Sequence, residues 1–134
     1  MCTKSYIYVA NTTPQEVDAG RRLDLGTVVR RFGAGIRATG GNLSVIGKGY
    51  YSGKLLLKFT GSAGTTTIKI LEDGTPIPPM PINITTAAGT DYMITIPFPI
   101  RNFCAEEKTI AVEIGGVAIT DAVVGMELNQ INRG

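Results

Sequence analysis

Apolar and polar side chains alternate with a period of two along much of this chain, and residues 47–67, GKGYYSGKLLLKFTGSAGTTT, show the pattern most plainly. Tyr51, Gly53, Leu55, Leu57 and Phe59 share one side of an extended strand, and Ser52, Lys54, Leu56, Lys58 and Thr60 share the other. A break at Gly61-Ser62-Ala63-Gly64 and a resumption at Thr66, Ile68 and Ile70 predict the next strand of the same layer. Glu72-Asp73-Gly74 then predicts a tight hairpin, because Asp-Gly tolerates the positive φ angles such a turn demands.

The same reading extends in both directions. Residues 4–11, KSYIYVAN, set Tyr6 and Tyr8 against Ile7 and Val9, which predicts a strand covered on both faces. Thr12-Thr13-Pro14-Gln15 reads as a turn, and residues 16–26 as an ordered loop anchored by Val17, Leu23 and Leu25. In residues 27–32, TVVRRF, alternation puts Val28 with Arg30 and Phe32, and Val29 with Arg31. Ile36, Leu43, Val45 and Ile46 mark one or two short strands about the turn at 39–42. The prolines of residues 75–81 cannot donate to a ladder and predict a sheet edge or a surface loop. Tyr92, Ile94, Ile96, Phe98 and Ile100 form one face of a core strand whose Pro97 and Pro99 point the other way. Residues 101–108 read as a loop, Ile110, Val112 and Ile114 as inward positions, and Ile119, Val124, Met126 and Leu128 as core positions of the closing segment. Eight to ten strands without a helical crossover predict an all-β, two-sheet antiparallel sandwich of jelly-roll type.

Composition narrows the function more than the fold. A length of 134 residues fits one domain, residues 1–134, with a single core. Thirteen basic against eleven acidic side chains leave +2, too weak a field to favour nucleic acid or an anionic membrane as partner. Histidine is absent, which removes the commonest general base and metal ligand. Cys2 and Cys104 do not make a disulfide framework and are expected to be free thiols. The opening MCTKSYIYV lacks the pattern of a cleaved leader and no run reaches membrane-spanning length, so folding in the cytoplasm is expected.

Few residues invite chemistry. The pairs Arg21-Arg22 and Arg30-Arg31 could grip a carboxylate or phosphate in bidentate fashion, or be solvated strand-end charges. Glu72, Asp73 and Asp91 are too scattered for a calcium loop, and Glu106 and Glu107 are adjacent in a loop that fixes no catalytic separation. The glycines at 33–35 and 40–41 precede strands rather than a helix and read as turns. No catalytic residue, metal site or cofactor is expected. Tyr50, Leu56, Met93, Val29 and Val123, however, are apolar groups on faces where a lone sandwich prefers polar atoms, so either the second sheet covers them or, as is expected for some of them, another subunit does.

The run Gly49-x-Tyr51 followed by Leu55, Leu57 and Phe59, the hairpin ILEDGTPI and the later YMITIPF resemble the trimeric jelly-roll superfamily of tumour necrosis factor, the globular heads of complement and collagen-like proteins, and the terminal domains of spore-surface filaments. Residues 6–33, YIYVANTTPQEVDAGRRLDLGTVVRRFG, are also similar to the start of small jelly-roll proteins encoded among the structural genes of tailed bacteriophages, which act as head fibres or capsid decorations. The collagen-like segment of the spore and complement relatives is missing, which favours the phage resemblance. What it implies is a homotrimeric structural component of the virion, made in the host cytoplasm, that binds the capsid through residues 1–11. By that resemblance Tyr50, Leu56 and Met93 are trimer-interface candidates, and Tyr6, Ile7, Tyr8 and Val9 are capsid-attachment candidates. The alternative is a module that binds a host-surface glycan or receptor through its loops, with Arg101 and Phe103 as recognition candidates.

Overall fold

The computed structural model describes residues 4–78, 80–103 and 107–132, so Cys2, Cys104, Pro79, Glu106 and residues 1–3 of the expected attachment segment lie outside the described residues. Twelve strands follow one another: β1 (Tyr6–Val17), β2 (Arg21–Leu23), β3 (Thr27–Phe32), β4 (Ile36–Thr39), β5 (Asn42–Val45), β6 (Gly49–Thr60), β7 (Gly64–Glu72), β8 (Thr75–Pro76), β9 (Ile82–Thr86), β10 (Asp91–Asn102), β11 (Lys108–Gly116) and β12 (Ile119–Asn132). They pair antiparallel in two sheets. One sheet has the order β10-β6-β12-β1-β3. The other runs β4-β5-β11-β7-β8, with β2 also on β11 and β9 also on β7.

The core lies between the sheets and is filled by the residues that alternation assigned to it. On β6, Tyr51, Leu55, Leu57 and Phe59 are buried while Tyr50, Ser52, Lys54, Leu56 and Lys58 face out. Ile110, Val112 and Ile114 from β11 and Ile119, Met126 and Leu128 from β12 are fully enclosed. Each removes on the order of 1.5–3 kcal/mol of apolar side chain from water. The hairpin between β7 and β8 turns at Asp73, φ 51°, and Gly74, φ 83°, the left-handed pair that a tight turn requires.

Four expectations give way. The strand count is twelve among the described residues rather than eight to ten, because the short β2 is carved from a stretch read as loop and β8 from one read as sheet edge or loop, and the short strands about the turn at 39–42 are two, β4 and β5. Residues 12–15 do not leave the sheet: β1 continues to Val17 with register shifts at Asn11/Gln15 and Gln15/Val17. Pro14 is tolerated because β3 pairs only with Tyr6 to Ala10, so no ladder bond is asked of it on that side. Residues 16–26 hold β2 as well as loop. On β3, a register shift between Arg30 and Val28 breaks the simple alternation. Thr27, Arg30 and Phe32 then share the outer face with Ala10, Tyr8 and Tyr6, whereas Val28 and Arg31 oppose the core residues Val9 and Ile7.

Candidate functional site

The outer face of the β10-β6-β12-β1-β3 sheet carries most of the apolar surface left uncovered. Near its centre Leu56 is 43% exposed and Met93 70% exposed. Their strands are neighbours, with Met93 opposite Lys58 and Thr95 opposite Leu56. Gly125 lies opposite Leu56 on the other side and has no side chain to fill the space, so a shallow apolar depression opens there, walled by Tyr8, Leu56, Met93 and Val123. The tip of Tyr8 occupies the ground above Gly125, where a Cβ would come 2.7 Å from its hydroxyl.

Tyr50 does not join Leu56 and Met93. It shares their face but lies six residues away along β6, roughly 20 Å at 3.3 Å per residue. Its neighbours are Arg101, opposite it on β10, and Phe103, whose ring meets it edge-on with centroids 6.3 Å apart. The Arg101 guanidinium lies 3.5 Å from the Phe103 centroid and 5.8 Å from that of Tyr50, a cation–π stack that covers one face of Phe103. The two loop-recognition candidates therefore stand together, and Arg101 belongs to β10 rather than to a loop.

β1 enters the sheet at this same end. Tyr6 opposes Phe32 on one side, with ring centroids 6.0 Å apart, and Asn129 on the other. Asn129 opposes Ser52, and Asn132 opposes Tyr50. Exposed Phe32, Tyr50, Phe103 and Ile131 thus collect at the end from which the N-terminal strand emerges. Of the four attachment candidates, Ile7 and Val9 are core residues at 0% and 1% exposure and offer no surface to a partner. Tyr6 and Tyr8 face outward and are half-buried. The Tyr6 hydroxyl donates to Glu127 Oε2 at 2.7 Å, and its pKa is pushed up to about 12, by burial first and by that carboxylate second.

A second apolar surface was not anticipated. The sandwich is open along one side, where the edge strands β9 and β10 leave a cleft lined by Ile82, Ile84, Ile94, Ile96 and Pro97. The isoleucines have the parity of core residues, and sequence alternation alone cannot tell a covered inner face from one that runs out at an open edge. The three acidic groups weighed for calcium, Glu72, Asp73 and Asp91, have structural partners. Glu72 Oε2 accepts from Lys108 Nζ at 2.9 Å, Asp73 Oδ1 accepts from the Thr109 amide at 2.8 Å, and Asp91 Oδ1 accepts from Thr60 Oγ1 at 2.7 Å.

No protein-family model matches the chain, and no curated protein does. Among solved structures, it is similar to the globular domain of zebrafish complement 1qA protein, at TM-score 0.74 and 10% identity over 98% of this chain and 100% of that one. It is similar to the PRD1 vertex protein P5, at TM-score 0.68 and 13% identity over 97% of this chain and 74% of that one. It is also similar to murine APRIL, at TM-score 0.60 and 14% identity over 96% and 100%. The fold is the jelly roll of tumour necrosis factor-like and complement globular-head domains.

Proposed function

We propose that this chain is a homotrimeric structural protein of a virion, a head fibre or capsid decoration, whose work is attachment and presentation rather than catalysis. The observation that carries the reading is that one subunit bears two separate apolar surfaces, the face around Leu56 and Met93 and the open edge at Ile82, Ile84 and Ile94. Unlike patches on one chain associate head to tail, and a rotation that closes gives a ring. Three copies are what the resemblance to tumour necrosis factor-like domains implies. Similarity to a vertex protein supports the location.

Attachment is assigned to the end where β1 begins, with Tyr6 and Phe32 and the cluster of Tyr50, Phe103 and Ile131 as its contact groups. These side chains are exposed, aromatic or apolar, and lie together at one end of the sheet, which suits a docking surface more than a solvated tip. The rival reading, a glycan- or receptor-binding module, draws on the exposed Phe103, but Arg101 already occupies one face of that ring.

Light scattering of the purified chain, followed by cosedimentation with empty capsids and separate exposure to a glycan array, tests the reading. A trimer that sediments with capsids is expected. A monomer at all concentrations refutes the trimer, and glycan capture without capsid binding replaces the attachment role with the rival one.

A further inference from the structure

The side of the sandwich opposite the open cleft has a different character. There β3 ends one sheet and β4 ends the other, and neither has a second strand neighbour among the described residues. All six residues of β3 are exposed, proline is absent from it, and its free edge is about 20 Å long at roughly 3.3 Å per residue. The edge is also cationic. Arg30 and Arg31 lie on β3 and Arg37 on β4, and within residues 21–37 the only acidic side chain is Asp24. Among the described residues none of the three arginines forms an ion pair. Arg31 spans the two edges, its Nε donating to the Ile36 carbonyl at 3.1 Å, which fixes its guanidinium across the rim between the sheets.

From these facts we infer that the free edge of β3 is a docking site for an extended, acidic segment of a partner protein, which adds to the sheet as a further strand. The backbone edge supplies the ladder, and carboxylates at adjacent positions, which point to opposite faces, meet Arg30 on one face and Arg31 with Arg37 on the other. A second copy of this chain is a poor occupant, because edge-to-edge pairing of two β3 strands brings Arg30 and Arg31 of each copy together, and like charges across a strand pair destabilise it. The backbone edge does not include Leu56 or Met93, and β3 is at the far end of the sheet from β10, while Arg30 adjoins Tyr8, which walls the depression around those two residues. It is independent of whether the chain is a virion component.

The test uses the full chain and a fluorescein-labelled, proline-free peptide of about nine residues in which pairs of glutamates alternate with pairs of valine or threonine, so that carboxylates point to both faces, a length that spans one strand. Fluorescence anisotropy gives the affinity at low and high salt, and amide hydrogen exchange locates the contact. The expected results are binding that weakens as salt rises, slowed exchange along β3, and a loss of about tenfold or more, 1.4 kcal/mol per tenfold, in the Arg30→Ser/Arg37→Ser variant. A second peptide, N-methylated at alternate residues so that it cannot pair with an edge, is expected to lose binding to a similar degree. Equal binding of the methylated peptide, equal binding of a lysine-for-glutamate peptide, protection elsewhere than β3, or no binding of the acidic peptide at millimolar concentration would each overturn the inference.

Discussion

The ring of Phe98 occupies the place of a side chain at Gly53. The two residues face each other across the β6–β10 ladder, and a Cβ on Gly53 would stand 2.3 Å from Phe98 Cζ. A glycine inside a twelve-residue strand costs conformational entropy, but here it lets a large ring lie across the backbone and complete the core beside Ile100 and Tyr51. Gly53→Ala is therefore expected to destabilise the fold by roughly 1–3 kcal/mol, since the ring has to shift within a packed interior. Urea denaturation checks it, and an unchanged midpoint would mean that the ring moves freely.

Leu56→Glu places a carboxylate in the apolar depression on the outer face without touching the core, so the subunit is expected to fold and the assembly to fail. Covering a leucine or methionine stabilises by roughly 1.5–3 kcal/mol per side chain, so the concentration for half-assembly is expected to rise by about tenfold or more. Sedimentation equilibrium reads that concentration, and circular dichroism reports on the fold. Met93→Lys is expected to act in the same direction from the neighbouring strand.

Tyr6 gives an alkaline signature. Its hydroxyl titrates near 10 when exposed and at about 12 in the fold, held neutral by burial and by Glu127. Between those values the folded chain keeps a proton that the unfolded chain has lost, so the contribution to stability is complete below pH 10 and falls as pH rises from about 10 to 12. Tyr6→Phe is expected to flatten that part of the stability profile relative to the native chain, as measured by denaturant midpoints across the range. A parallel decline in both proteins would show that Tyr6 is not its source.

Gln130 ties the start of β1 to the sheet. Its Oε1 accepts from the Ser5 amide at 2.8 Å and its Nε2 donates to the Lys48 carbonyl at 2.9 Å, in a side chain that is 4% exposed. Gln130→Ala leaves both backbone groups without that partner, and a loss of about 1–3 kcal/mol is expected. Hydrogen exchange at Ser5 and Tyr6 is expected to accelerate more than exchange at Leu55 or Leu57. Uniform acceleration would assign the loss to global stability instead of to anchoring.

Much of the fold was legible because a strand declares itself locally. Ile110, Val112 and Ile114, or Tyr51, Leu55 and Phe59, are core residues by parity alone, and the structure buries all of them. The outward apolar residues Leu56 and Met93 were legible for the same reason, as exceptions on a polar face. Tyr50 was legible as exposed, and its six-residue separation from Leu56 along one strand already sets the two apart, but its distance from Met93 depends on the register in which β6 meets β10. The attachment candidates divided by the same rule: alternation sends Ile7 and Val9 inward, and only Tyr6 and Tyr8 keep an outward side. Thr12 to Gln15 has the composition of a turn, yet it remains in β1, since a proline needs only a position without a ladder bond.

Taken alone, the chain of residues specified two-layer, all-β architecture, the identity of its core and the presence of apolar groups beyond what one core absorbs. These are matters of period and composition, and each is decided within a few residues. The tertiary structure alone decided which strands stand at the sheet edges, where the shift in β3 turns Val28 and Arg30 to opposite faces, and that Ile82, Ile84 and Ile94 line an open side. Those outcomes depend on pairing between segments far apart in sequence, and a side chain's parity carries no record of whether a neighbour exists to cover it.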